Sequence, residues 1–572
     1  MRRPRATIAA VSSGVVLAAV GVAAALPAGA AAAGCAVAYT VSSQWQGGFG
    51  ADVAITNLGD PLTSWTLAWS FGAGQTVTQA WNATLTQSGT AVTAKNVGYN
   101  GSVATNGTVS FGFNGSWTGS NPAPTSFTVN GVACTGSTTP TTAPTTAPTT
   151  TPTTAPTSGP TTAPSATPDI TVNTATKYQT IDGFGAAVSI WGGAWSTAET
   201  QTLVGTGTNQ LGLSIVRTGI SPVSSEWATQ VNALKTAKAS GSNVKILASP
   251  WTAPAAWKTN NSRINGGKLK TDYYDDYANH LNSYVQYMRG QGVTIDVVSI
   301  QNEPDWHPAY DSMDWSGDEL RNFVRDQGAK ILNTKLMVAE AVNLNYGYTD
   351  PTLNDATARN NIGYIGGHLY GTEDSGRLKP YALAAQYNKP VWMTEWNFHE
   401  AASDTSTAWA DGGNQAVWDE TLDDVIRTVN KSMEANWSAY VWWYGKRYYS
   451  FIGDGTAGTS TGAVLKRGYA FAQYAKYVRP GDQRVALTKS SKASPLEVTA
   501  YQGGGKIKLV ILNRSTSAVN NAVIQAPQTV TKAEDYVTSR TANAAGQATS
   551  VNGGQVTVSI PARSISTVVF TL

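Results

Sequence analysis

The stretches DVVSIQNEP (296–304) and PVWMTEW (390–396) decide the fold. Each is a short apolar run of strand length that reaches a glutamate, Glu303 in the first and Glu395 in the second. Six runs of the same kind accompany them: TIDGFGAAV from Thr180, LSIVRTG from Leu213, VKILASPW from Val244, KLMVAEAV from Lys335, YIGGHLYG from Tyr364 and AYVWWYG from Ala439. Helical segments lie between. From Tyr273 to Arg289, residues Tyr277, Leu281, Tyr284, Val285 and Met288 recur at i, i+4, i+7, i+8 and i+11, the spacing of one buried helix face. Eight such strands alternating with helices predict a parallel (β/α)8 TIM barrel over residues 169–476.

The chain has 572 residues, too many for one ordinary domain, and 41% hydrophobic residues are enough to fill large cores. It holds 19 Trp and 24 Tyr but only 13% charged residues, about half the usual share. The formal charge is +3, of which Arg2, Arg3 and Arg5 carry three; without them the balance is zero, which gives no support to nucleic-acid or anionic-membrane partners. Those arginines precede an apolar stretch from Ile8 to Leu26 and small residues Ala28 to Ala33, the pattern of a cleaved export signal over 1–33. A membrane anchor and a lipidated Cys35 are the alternatives to an extracellular, secreted product. The two cysteines of the chain, Cys35 and Cys134, bracket one segment and are expected to pair in an oxidising space. Closing a loop of that size stabilises it by about 4–5 kcal/mol in the chain-entropy view.

From 135 to 168 the chain collapses to Thr, Pro, Ala and Ser with TTAP recurring, an extended spacer with no means of forming a core. Before it, over 34–134, runs such as DVAIT from Asp52, WTLAWSF from Trp65 and VSFGF from Val109 alternate between Gly, Asn, Ser and Pro turns. That is the pattern of an all-β sandwich module. Trp65 alternates with polar neighbours and reads as core. Asn57, SWTLAWSF from Ser64, TQAWNATLTQSG from Thr78, NVGYNGS from Asn96 and FGFNGSWTG from Phe111 resemble the family 2 carbohydrate-binding modules of cellulose-binding type. The resemblance implies a flat strip of aromatic rings at Trp45, Trp81 and Tyr99, the last a smaller ring where tryptophan is common.

In a barrel the C-terminal strand ends converge on one rim, so Glu303 after the fourth run and Glu395 after the seventh are brought together whatever their separation in sequence. Two carboxyls facing a glycosidic bond can act as proton donor and as nucleophile or base. If they lie about 5–5.5 Å apart, as a retaining site requires, each raises the other's proton affinity. The competing structural reading of a strand-end glutamate is an ion pair, for which Arg217 at the end of the second run is available. The order of the two glutamates resembles glycoside hydrolase clan A. IDGFGAA from Ile181, IVRTGIS from Ile215, ASPWTAPAAWK from Ala248, SIQNEPD from Ser299, GGHLYG from Gly366, WMTEW from Trp392, VWWY from Val441 and KRGYAFAQYAKYVRPG from Lys466 resemble family 30 of that clan, from about Asp169 to Leu572. The resemblance implies Glu303 as acid/base, Glu395 as nucleophile, Asn302 near the sugar 2-hydroxyl, and a C-terminal β-sandwich side domain over 477–572 that takes strands from 169 to 179.

Trp251, Tyr370, Trp443 and Tyr444 also fall at run ends, where ring faces bound sugar subsites, and Arg217 is counted with them as a substrate contact. Within family 30 the chain looks most like the bacterial xylanase branch, and Arg447 stands where that branch holds a glucuronate side group. The residues around it, GKRYYS from Gly445, depart from the branch's usual pattern. His368 lies inside a strand-like run with no ligand spacing around it, so neither a metal nor another cofactor is expected. The reading is thus a monomeric, secreted endo-β-1,4-xylanase acting on glucuronoxylan and tethered to cellulose. The alternatives are a β-1,6-glucanase or galactanase using the same carboxylates, and a non-catalytic carbohydrate adhesin.

Overall fold

The computed structural model describes residues 34–134 and 166–572, apart from 46, 99, 106, 189–193, 242, 372–375, 404 and 411–413. The expected export signal, nearly all of the Thr/Pro spacer, Tyr99 and the side chain of Trp45 lie outside the described residues. The chain divides into two compact units, Met1–Thr157 and Ser158–Leu572.

The first unit is a β-sandwich. One sheet runs Cys35–Trp45, Gly48–Asn57, Thr108–Ser116, Thr76–Trp81, and the other Ala83–Ser88, Ala91–Asn96, Thr66–Ser70, Phe127–Val129, Val132–Ala133. Alternating inward residues of both sheets make one core around Phe49, Val53, Leu67, Phe111 and Phe113. Trp65 is 1% exposed, stacks on Phe111 at 5.6 Å and donates its indole N–H to Asn100 O, as its alternation predicted. Cys35 and Cys134 are bonded and tie the first strand to the end of the last.

In the second unit, eight parallel strands close a barrel: β1 (Gly183–Ala187), β2 (Ile215–Ile220), β3 (Lys245–Pro250), β4 (Val297–Ser299), β5 (Lys335–Ala341), β6 (Ile362–His368), β7 (Val391–Glu395) and β8 (Ala439–Trp442). Each overlaps one of the eight apolar runs; only β2, which runs on to Ile220, and β6, which starts at Ile362, extend past theirs. The helix Tyr274–Gly290 buries the five residues picked out by its spacing, together with Ala278. Residues alternate along the strands. Ile215, Leu247, Val297, Met337, Trp392, Ala439 and Val441 fill the barrel interior, while their neighbours Val216, Ile246, Val298, Leu336 and Tyr440 join the larger core outside it. Two residues further along β2, β3 and β4, the inward positions are Arg217, Ser249 and Ser299; on β6, four residues beyond Tyr364, stands His368. Apolar packing therefore gives way to polar side chains just below the C-terminal rim. At Gly366, on β6 between Tyr364 and His368, a Cβ would sit 2.6 Å from Met337 Sδ and 2.9 Å from Glu340 Cγ, so glycine leaves the room those side chains occupy.

Ten strands after and just before the barrel form one hydrogen-bonded sheet. Ile170–Thr180 pairs antiparallel with Gln483–Lys489, so the segment ahead of the barrel does enter the side domain. Residues from both halves of this sheet, among them Ile170, Ile524, Val558, Leu509 and Phe570, share one core, which folds the sheet into a sandwich. Arg563, bonded to Asp419 and Asp423, and Trp418, donating to Arg563 O, fasten it to a barrel helix.

Candidate active site

Glu395 is the last residue of β7, but Glu303 is not on a strand: β4 ends at Ser299, four residues earlier. The intervening backbone bridges both neighbours, with Asn302 N–H donating to Pro250 O and Glu303 N–H to Glu340 O. Glu303 takes φ +46°, a left-handed conformation rare for a long side chain and found where a site imposes strain. The result places a carboxylate oxygen of Glu303, one of Glu395 and a ring nitrogen of His368 within 4.8 Å of one another.

The two carboxyls open into a cleft of about 610 Å³ lined by Trp251, Trp306, Tyr310, Val342, Tyr370, Asn397, Trp443 and Tyr444. Four of these aromatics were expected from the sequence. Trp306 and Tyr310, 50% and 45% exposed, were not, although two aromatics in the polar loop directly after Glu303 are a readable signal. Trp443 stacks on Tyr444 at 3.9 Å and lies 6.0 Å from Trp251.

Beneath the cleft the chemistry changes from rings to charges. Arg217 Nη1 donates to Glu395 Oε2 at 2.6 Å and Nη2 to Asn302 Oδ1 at 2.6 Å, while Tyr370 OH donates to Glu395 Oε1 at 3.0 Å. His368 Nδ1 lies 2.9 Å from Glu303 Oε1. A third, fully buried carboxylate, Glu340, stands 3.1 Å from Arg217 Nη2 and 3.8 Å from His368 Nε2. Arg217 is thus corrected from a substrate contact to a floor residue: it is 0% exposed, with its guanidinium occupied by Glu395, Asn302 and Glu340 and covered by the Trp251 ring at 4.8 Å.

Burial disfavours every charge here, and the neighbours decide the outcome. Burial pulls His368 down, yet the charge of Glu395 and the bonds to Glu303 and Glu340 raise it to about 9. Burial pushes Glu340 up, but Arg217 and His368 bring it down to about 2. Burial also raises Glu395, helped by the charge of Glu303 and opposed by His368 and Arg217. Tyr370, raised far above a free phenol by burial and then by Glu395, stays a donor.

The loops around the cleft are pinned by buried polar groups. Lys258, pulled down to about 8 by burial, donates to Thr252 Oγ1 and Ser312 O and joins the loops after β3 and β4. Arg467 pairs with Glu420 at 2.6 Å and donates to Phe398 O and Tyr449 O, while Glu420 accepts the N–H groups of Glu400 and Ala401, so one ion pair holds the loops after β7 and β8. Arg447 is not among the cleft residues; its side chain is 51% exposed and lies 3.7 Å from Asp454 Oδ2. In the first unit, Trp81 is 42% exposed and its ring lies across Gly112, where a Cβ would meet it at 2.5 Å.

The geometry has counterparts in known proteins. Residues 224–362 match the profile of O-glycosyl hydrolase family 30, and residues 35–134 that of the cellulose binding domain. A glucuronoxylanase of Bacillus subtilis strain 168 is 34% identical over 407 residues, covering 70% of this chain and 91% of the relative. An endoglucanase of Streptomyces lividans is 57% identical over 110 residues, 19% of this chain and 24% of that protein. The crystal structure of a family 30 subfamily 8 xylanase from Clostridium acetobutylicum superimposes with a TM-score of 0.62 at 31% identity, covering 71% of this chain and all of that one. By sequence over the whole barrel and side domain, and by fold, this chain belongs to glycoside hydrolase family 30, with a cellulose-binding domain on its N-terminal side.

Proposed function

We propose that the protein is a secreted, retaining endo-β-1,4-xylanase that cuts the xylan backbone while its first unit holds it to cellulose. The observation that carries the reading is the approach of the Glu303 and Glu395 carboxylates within 4.8 Å at the floor of an aromatic cleft. Such close carboxylate oxygens favour direct attack on the anomeric carbon, as in retaining enzymes, over the wider spacing at which an inverting enzyme seats a water. The kinship with xylanases supports the substrate class.

In this mechanism Glu395 is the nucleophile. Ionised, it accepts from both Arg217 and Tyr370, which aim its oxygens. Glu303 delivers the proton to the departing oxygen. Once the glycosyl–Glu395 ester forms, Glu303, having given up its proton to the leaving group, takes one from the incoming water. With Oδ1 of Asn302 held by Arg217, its –NH2 is the end left for a sugar hydroxyl. Trp251, Trp443, Tyr444, Trp306 and Tyr310 present faces for the C–H faces of xylose rings.

Glucuronate is read as a preference and not a requirement, because Arg447 shares its charge with Asp454 and stands off the cleft. Product analysis on glucuronoxylan, unbranched xylan and arabinoxylan, with Arg447→Ala in parallel, tests this. Cleavage of all three, with less than about tenfold loss on glucuronoxylan for Arg447→Ala, is expected. Acidic products from glucuronoxylan alone, abolished by Arg447→Ala, contradict it. Activity confined to β-1,6-glucan or galactan would replace the substrate assignment.

A further inference from the structure

The two cations that grip the catalytic pair have a common neighbour that touches neither the cleft nor solvent. Glu340, at the end of β5, is 0% exposed and held at φ +48°. Its Oε1 lies between Arg217 Nη2 and His368 Nε2, at 3.1 and 3.8 Å. On their far sides these cations meet the reacting carboxyls: Arg217 reaches Glu395 at 2.6 Å, and His368 reaches Glu303 at 2.9 Å. We propose that Glu340 is a positioning residue of the catalytic centre, a buried counter-ion shared by Arg217 and His368 that keeps both charged and so holds one on each reacting carboxyl. The inference rests on the assignment of Glu303 and Glu395 as that pair.

Charge counting carries the step. Two buried cations face Glu303 and Glu395, which share one proton when the site is ready to act. Without Glu340 the floor would hold two positive charges against one negative in a dry environment, a state that burial strongly disfavours. With Glu340 the sum is zero. The groups facing it are Arg217 from β2, Ser299 from β4 and His368 from β6; beyond the two cations stand Glu303 from the segment after β4 and Glu395 from β7, Asp305 lies near His368 and Glu303, and Tyr370 donates to Glu395. Taking away one negative charge from such a group lowers the proton affinity of every neighbour, so the effect has a sign. A glutamate that merely packed the floor would leave that quantity unmoved when replaced by its isostere.

The test compares the full-length enzyme with Glu340→Gln, after circular dichroism and thermal melting establish that the variant folds. Two readouts are taken: kcat and KM on soluble xylan against pH, and the titration of His368 by NMR of 13C-labelled histidine. Expected are a kcat lower by about tenfold or more with KM within about threefold, both limbs of the pH profile displaced to lower pH, and a His368 that gives up its proton at lower pH than in the wild type. A folded variant with unmoved limbs and an unmoved His368 overturns the proposal. Should Glu340→Gln fail to fold, the Glu303→Gln/Glu395→Gln double variant decides, since Glu340 is then the carboxylate left against His368: His368 charged through neutral pH supports the proposal, and titration at or below the ordinary 6.5 overturns it. Glu395→Gln is run beside them. If that variant stays active, the assignment of the pair falls; if it is inactive while the Glu340→Gln profile is unmoved, only the role of Glu340 falls.

Discussion

Both units of this chain set out aromatic rings, and the difference lies in what stands behind the rings. In the first unit Trp81 lies on a strand across Gly112, 42% exposed, over an apolar core. In the barrel, Trp251 and Trp443 lie over Arg217, at 4.8 and 5.9 Å, and under them sit three carboxylates and an imidazole. A flat ring on a rigid sheet is sufficient to adhere to a sugar surface. Breaking a glycosidic bond needs proton donors and a nucleophile in a dry place, and so a buried set of charges that must balance.

The comparison predicts that the two functions separate cleanly by mutation. Glu395→Gln is expected to lower kcat on xylan by about 10⁴-fold or more with cellulose retention unchanged in a pull-down. Glu303→Gln should cost about 10²–10⁴-fold on xylan but far less on an aryl glycoside whose leaving group needs no proton. An equal loss on both substrates would mean that Glu303 is not the acid. Trp81→Ala removes a ring worth about 1.5–3 kcal/mol of burial, hence about 10–100-fold in affinity for cellulose, with soluble xylan hydrolysed as before. Gly112→Ala, which pushes that ring off its strand, is expected to weaken cellulose binding by about fivefold through about 1 kcal/mol of overpacking.

The charged floor also gives the barrel a pH dependence through His368 and Glu340. His368 is raised from 6.5 to about 9 in the folded state. Its contribution is therefore complete below the unfolded value and is lost as pH rises through about 9, up to about 3 kcal/mol. Glu340, lowered to about 2, contributes above the ordinary carboxylate value and loses its share only as pH falls toward 2. Calorimetry of wild type against His368→Gln should show the alkaline decline reduced in the variant.

The barrel was legible because parallel strands buried on both faces read as apolar runs, and each of the eight overlaps an observed strand. The order of Glu303 and Glu395 was legible for the same reason, since strand order determines what meets at the rim. The floor was not. Arg217, Glu340 and His368 come from β2, β5 and β6, and nothing in their spacing shows that they touch; the contact arises only when the barrel closes. The extent of β4 was overestimated because Ile300 to Glu303 remain apolar or hydrogen-bonded to both neighbours after the ladder ends. Arg447 was expected by analogy with a motif that its neighbours do not share, and its 3.7 Å approach to Asp454, seven positions on in a glycine-rich loop, had no signal in the sequence.

The most direct test of the central claim is covalent trapping with an activated 2-deoxy-2-fluoro-xylobioside, followed by peptide mass mapping. A retaining nucleophile should carry the added glycosyl mass on the peptide containing Glu395, with none in Glu395→Gln. A glycosyl adduct on any other carboxylate, or inactivation without an adduct, would contradict the account.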